Sequence, residues 1–170
     1  MKKIKCIVVF YLFSVGCTLQ AQQLKDGVPV EMNGLEVTFR VVAKESITVN
    51  DAAFDRYKVV ASVKNISGKS FNIRLRSYPD LAGINAGKLV EVNCLNATGA
   101  RLTAKKLDIA MTTHFVNVSY NCTGKDGKIT ATTLPVPVGY FLDEGQSAES
   151  NGIFIVPAGQ EPQVNARLLK

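Results

Sequence analysis

The sequence contains no tryptophan and a single histidine, His114. One imidazole cannot supply a multi-histidine metal site. A nucleophilic triad would have to be built around His114, with Ser77 or Ser119 as arbitrary partners, and no Gly-x-Ser-x-Gly elbow occurs. Glycine-rich phosphate loops are missing as well. The adjacent carboxylates Asp143 and Glu144 fall in a polar stretch and read as solvation, not as the acid pair of a glycosidase. These absences lead to the expectation of a protein that is not an enzyme, with no catalytic, cofactor-binding or metal-binding residues.

Other shortages set the class. No apolar run reaches the ~20 residues that a membrane-spanning helix needs. The formal charge is +6, but Lys2, Lys3 and Lys5 account for half of it. The remaining excess is not clustered, so a nucleic-acid partner is not expected. Of four cysteines, Cys6 and Cys17 lie near the N terminus, leaving Cys94 and Cys122.

The N terminus has the layout of an export signal. Met1 to Lys5 is basic, Cys6 to Val15 is apolar, and Leu19-Gln20-Ala21 fits a signal peptidase site. The expected division is therefore a signal over 1–21 and one domain over 22–170, exported to the periplasm or beyond. Gly16-Cys17 offers a rival reading as a lipid-attachment site, from which Ser14 departs. In an oxidising compartment an even pair of cysteines favours a disulfide between Cys94 and Cys122.

What is abundant is period-two alternation. Tyr57, Val59, Ala61 and Val63 share one face, and Phe71, Ile73 and Leu75 resume the pattern after the turn residues Asn65 to Lys69. The stretch Tyr57 to Leu75 thus reads as a hairpin. Leu35, Val37, Phe39, Val41 and Ala43 alternate inward behind an Asn33-Gly34 turn, and Lys44 to Arg56 reads as a connection. Val90, Val92 and Cys94 share a face, as do Val116, Val118, Tyr120 and Cys122. Arg101 to Thr113 fits either a strand or a helix, with strand preferred. Asp126-Gly127 marks a turn, and Pro135 and Pro137 place the following segment at a sheet edge or crossing. Gly152 to Val156 and Gln163 to Leu169 close the chain.

Seven to nine short strands, each with one apolar face to hide, predict an all-β antiparallel sandwich of two sheets. Cys94 and Cys122 would then lie at the same end of its interior, and a bond between them would stabilise by ~3–4 kcal/mol.

Two stretches, YKVVASVKNISGKSF and LDEGQSAESNGIFIVPAGQEPQVNARL, together resemble secreted bacterial immunoglobulin-like domains of the telokin-like kind. The signal, with Gln after the cleavage Ala, is similar to those of Bacteroidetes exports. The resemblance implies an immunoglobulin-like sandwich and brings no catalytic residues, since that family shares none.

The functional expectation is an exported, non-catalytic binding module of the cell envelope, with a protein or glycan partner. The alternative is a secreted protease inhibitor or an accessory domain of an enzyme. Loops Ser77 to Lys88 and Asp143 to Gly152 are the expected contact regions. Tyr78 and Asp80 in the first loop, with Arg74 and Arg76 just before it, are the candidate partner-binding residues. Arg40, Lys58, Lys64, Arg74 and Arg76 all point outward from early strands and would form a basic stripe if those strands were neighbours.

Overall fold

The computed structural model describes residues 21–74, 87–99, 102 and 104–169. Residues 1–20, expected as most of an export signal, and the loop residues Arg76, Tyr78 and Asp80 lie outside the described residues. Eleven strands are formed among those described: β1 (Gln22–Leu24), β2 (Val30–Met32), β3 (Leu35–Val49), β4 (Ala52–Asn65), β5 (Phe71–Arg74), β6 (Lys88–Cys94), β7 (Lys106–Ala110), β8 (Thr112–Thr123), β9 (Ile129–Leu142), β10 (Ser147–Pro157) and β11 (Val164–Leu168). They build two four-stranded antiparallel sheets, in the orders β1-β11-β6-β7 and β10-β4-β3-β2. A third sheet follows the order β5-β9-β8.

The first two sheets form the sandwich. Val37 and Phe39 of β3, Val59, Ala61 and Val63 of β4, and Phe154 and Val156 of β10 face Val90 and Val92 of β6, Leu107 and Ile109 of β7, and Val164 and Ala166 of β11 in one core. The alternation read from the sequence is therefore real: every second residue of β4 from Tyr57 to Val63 is buried. The Phe39 and Phe154 rings stack at 6.2 Å between centroids.

The central hairpin is not the one expected. Asn50 and Asp51 both take positive φ, 49° and 61°, forming a two-residue turn whose twist matches antiparallel strands. Through it β3 and β4 pair from Val49–Ala52 back to Leu35–Asn65. Lys44 to Arg56 is thus strand and turn, not a connection. A bulge between Val41 and Ala43 shifts the register, so that Lys44 comes opposite the buried Tyr57 and the strict alternation of β3 ends, while Val42 on the outward side is 65% exposed. β5 does not pair with β4, because it crosses to the third sheet and pairs with β9.

Asn65 makes that crossing. It is fully buried. Its Nδ2 donates to the carbonyls of Lys69 (2.6 Å) and Leu142 (3.0 Å), and its Oδ1 accepts from the N–H and hydroxyl of Ser67. Its backbone N–H donates to Gln146 O, and its carbonyl accepts from Gly145 N. The turn after Leu142 is tight for that reason, and Ser147 to Gly152 is strand paired with Lys64 to Val59, where a polar loop was expected.

Two carboxylates lock the outside. Glu91 of β6, 5% exposed, accepts from Lys106 on one neighbouring strand (2.9 Å), from Asn93 (3.0 Å) and from Arg167 on the other neighbour (2.8 Å). Lys106 first, then Asn93 and Arg167, hold its carboxyl down at about 2. Asp55 of β4 binds Lys44, Gly159 N–H and Ser46, chiefly the first two, and its carboxyl is also held below its ordinary range.

Candidate functional site

The third sheet is where chain leaves the sandwich. β7 ends at Ala110, Met111 remains in the core, and Thr112 starts β8. The chain returns along β9 to Leu142, again in the core. Between these anchors β8 and β9 pair from Thr112–Phe141 out to Thr123–Ile129. At ~3.4 Å per residue the twelve residues of β8 extend about 40 Å. The tip is the expected Asp-Gly turn, with Gly127 at φ 78° and Gly124 N–H bonded to Lys128 O at 2.8 Å.

Every residue from His114 to Ala131 is exposed. Neither face of this ribbon rests on the sandwich. The faces nevertheless differ. Cross-strand pairing places Val116 beside Val136, Val118 beside Leu134 and Tyr120 beside Thr132. Val116, Val118, Tyr120, Leu134 and Val136 thus share a face, each 36–48% exposed. The opposite face is polar over its middle, with Asn117, Ser119 and Asn121 against Pro135, Thr133 and Ala131, and carries exposed Phe115 near the root and Ile129 near the tip. A solvent-facing row of large apolar side chains is the kind of surface that marks a contact site.

The root is held by β5, whose Phe71 to Arg74 pair with Leu142 to Gly139. Gly139 is needed there: a Cβ would stand 2.5 Å from Ile73 O. A shallow cleft at this root is lined by Ile73, Arg74, His114, Val138, Phe141 and Asp143. His114 meets Phe141 edge-on at 6.0 Å. Among the described residues no three His, Cys, Asp or Glu side chains converge as metal ligands would.

Of the expected partner-binding residues, Arg74 is described, exposed, and set in this root cleft. The disulfide is a correction. Cys94 and Cys122 are both free. Cys94 is buried in the sandwich, with its thiol donating to Asn96 Oδ1 at 3.3 Å, and burial raises its pKa. Cys122 is exposed near the ribbon tip. The expectation failed because β8 carries its valine face outward into solvent, not inward into a sandwich.

The basic stripe forms only in part. Arg40, Lys58 and Lys64 lie on the neighbouring strands β3 and β4, but Lys58 pairs with Glu45 at 3.1 Å, Lys64 sits across from Glu36, and Arg74 belongs to another sheet. Tyr57 is buried, its hydroxyl donating to Gln160 O at 2.8 Å, whereas Tyr120 is exposed on the ribbon. The apolar row itself was written in the sequence as alternation. What was missing was any signal that the alternation has no core opposite it.

These features define the class: an all-β antiparallel sandwich carrying a long, solvent-exposed β ribbon. No protein-family model, curated protein or solved structure matches the chain.

Proposed function

We propose that this chain is an exported, non-catalytic interaction module of the bacterial envelope, of the immunoglobulin-like, telokin-like kind, and that the ribbon is its contact element. The observation carrying this reading is the row Val116, Val118, Tyr120, Leu134 and Val136, exposed on a stretch of ribbon that stands clear of the core. Holding such side chains in water is unfavourable by roughly 25 cal/mol per Å² of apolar surface, and a partner surface relieves that cost. With no Trp and a face of Val and Leu, a protein partner fits better than a glycan, which favours aromatic platforms. The export signal supplies the location.

The test is a pull-down from envelope extract with the parent protein and a variant in which residues 115–136 are replaced by a short turn. A partner retained by the parent and lost from the variant supports the reading. Equal retention by both, or none above background, overturns it.

One observation favours the inhibitor reading as second choice. A long exposed strand can add to the edge of a protease cleft. Inhibition of secreted proteases by the parent and not by the ribbon-replaced variant would distinguish it.

A further inference from the structure

The two long edges of the ribbon are built differently. Among the described residues β9 has β5 beside it only at 139–142, and no strand lies along its outer edge from Ile129 to Val138. Pro135 and Pro137 occupy that stretch. Two prolines on alternate positions lack donors on the same side of the strand. The ladder to β8 runs through both positions, so the missing donors belong on the open side. That edge is therefore blocked against further pairing. Among the described residues β8 is the terminal strand on the other side. Its twelve residues, TTHFVNVSYNCT, include no proline, no Lys or Arg and no Asp or Glu. Of the usual devices that keep an edge strand from pairing, β8 carries neither proline nor charge, and the one irregularity of its ladder lies at the root, between His114 and Phe115.

We propose that the β8 edge is a self-pairing surface, on which β8 of a second copy adds antiparallel to make a continuous ribbon in the order β9-β8-β8-β9. This rests on the reading of the ribbon as a contact element. A second copy is favoured over a foreign strand by charge. In an antiparallel two-fold pairing the residue on the axis meets itself and every other residue meets one equally far on the other side of it, so charges of one sign on the strand would be brought together. β8 has none, in a chain of which 20% is charged. The charged residues of the ribbon, Lys125, Asp126 and Lys128, sit at the tip, and antiparallel pairing sends the two tips to opposite ends. A two-fold axis normal to the ribbon also keeps faces together. Val116, Val118 and Tyr120 of one copy then flank the same row of the other. Pairing over about ten residues buries on the order of 1,000 Å² in total, the low end for specific interfaces, so the dimer is a weak one. Tip-first insertion into a membrane is disfavoured by the same polar tip.

The test is sedimentation equilibrium of the purified protein, in the form that expression and any N-terminal processing deliver, from about 1 to 500 μM, where a small interface dissociates. Two variants, Val118→Lys and Leu134→Lys, separate edge pairing from stacking of apolar faces. Val118 lies on the pairing strand and Leu134 on the far one, and both are exposed, so circular dichroism is expected to be unchanged in each. The proposal expects a dimer in the parent, at least tenfold weaker association in Val118→Lys, near-parental association in Leu134→Lys, and slowed hydrogen exchange along β8 as concentration rises. A monomeric parent overturns it, as do equal losses in both variants, no loss in either, or dimerisation without protection of β8. A monomer that still retains a ribbon-dependent partner from extract overturns only the self-pairing. A dimer that retains no partner overturns only the envelope-partner reading.

Discussion

Val118 and Leu134 stand directly across from each other on the ribbon, and both are nearly half exposed. In the sandwich, Ile109 is completely enclosed. The same residue class thus serves two ends within one chain, and stability measurements separate them. Val118→Ser and Leu134→Ser are expected to shift unfolding by less than about 1 kcal/mol, as surface changes do. Ile109→Ala is expected to cost about 2–5 kcal/mol through lost burial and a cavity. Urea unfolding followed by circular dichroism provides the comparison.

Asn65 binds four groups through its side chain while fully buried. Asn65→Ala leaves the Leu142 carbonyl without this donor and is expected to cost about 2–3 kcal/mol. Asn65→Asp is expected to be worse near neutral pH, since it sets a carboxylate against the carbonyls of Lys69 and Leu142. A midpoint for Asn65→Asp at or above that of Asn65→Ala would show that donation to those carbonyls is not what matters.

The Glu91 carboxyl is held at about 2 against an ordinary 4.5, mainly by Lys106. A depressed carboxylate contributes stability that is fully present above the unfolded value and is lost as pH falls through the folded one. The protein is therefore expected to lose stability between about pH 4.5 and 2, by at most about 3 kcal/mol from this group. Glu91→Gln should be less stable at pH 7 and show a shallower decline across that window. Thermal melts at half-unit pH steps would reveal a parallel decline if Glu91 were not responsible.

The thiols give a further expectation. In a chain beginning at Gln22, Cys122 is expected to react with a thiol reagent in the native state, while Cys94 reacts only on unfolding. Burial both hides Cys94 and raises its pKa. Two slow thiols, or none, would place Cys122 somewhere other than an open ribbon.

Much of the sandwich could be read from the sequence because burial imposes a period of two. Tyr57 to Val63 of β4 and Leu35 to Phe39 of β3 show their inward residues directly. The preference for strand over helix between Arg101 and Thr113 likewise matches β7, where Leu107 and Ile109 point inward. The connection assigned to Lys44 to Arg56 failed because Asn50-Asp51 is a less obvious turn pair than Asn33-Gly34. The ribbon was harder, since alternation reports that one face is apolar and not what lies against it. Val116, Val118 and Tyr120 carry the same pattern as Val90 and Val92, so the disulfide and a conventional sandwich strand both followed. The prolines of β9 were the better clue. They marked an edge or crossing segment, and among the described strands Pro135 and Pro137 pair with β8 alone.

Met111 and Leu142 anchor the ribbon in the core and Tyr140 packs against it, while every residue from His114 to Ala131 is exposed. Selection can therefore act on the ribbon almost independently. On the proposal that the ribbon is the contact element, substitutions there would change what the protein meets at little cost to folding, while the sandwich stays under the strict demands of close packing. Such a chain can acquire new specificities at little risk to its scaffold.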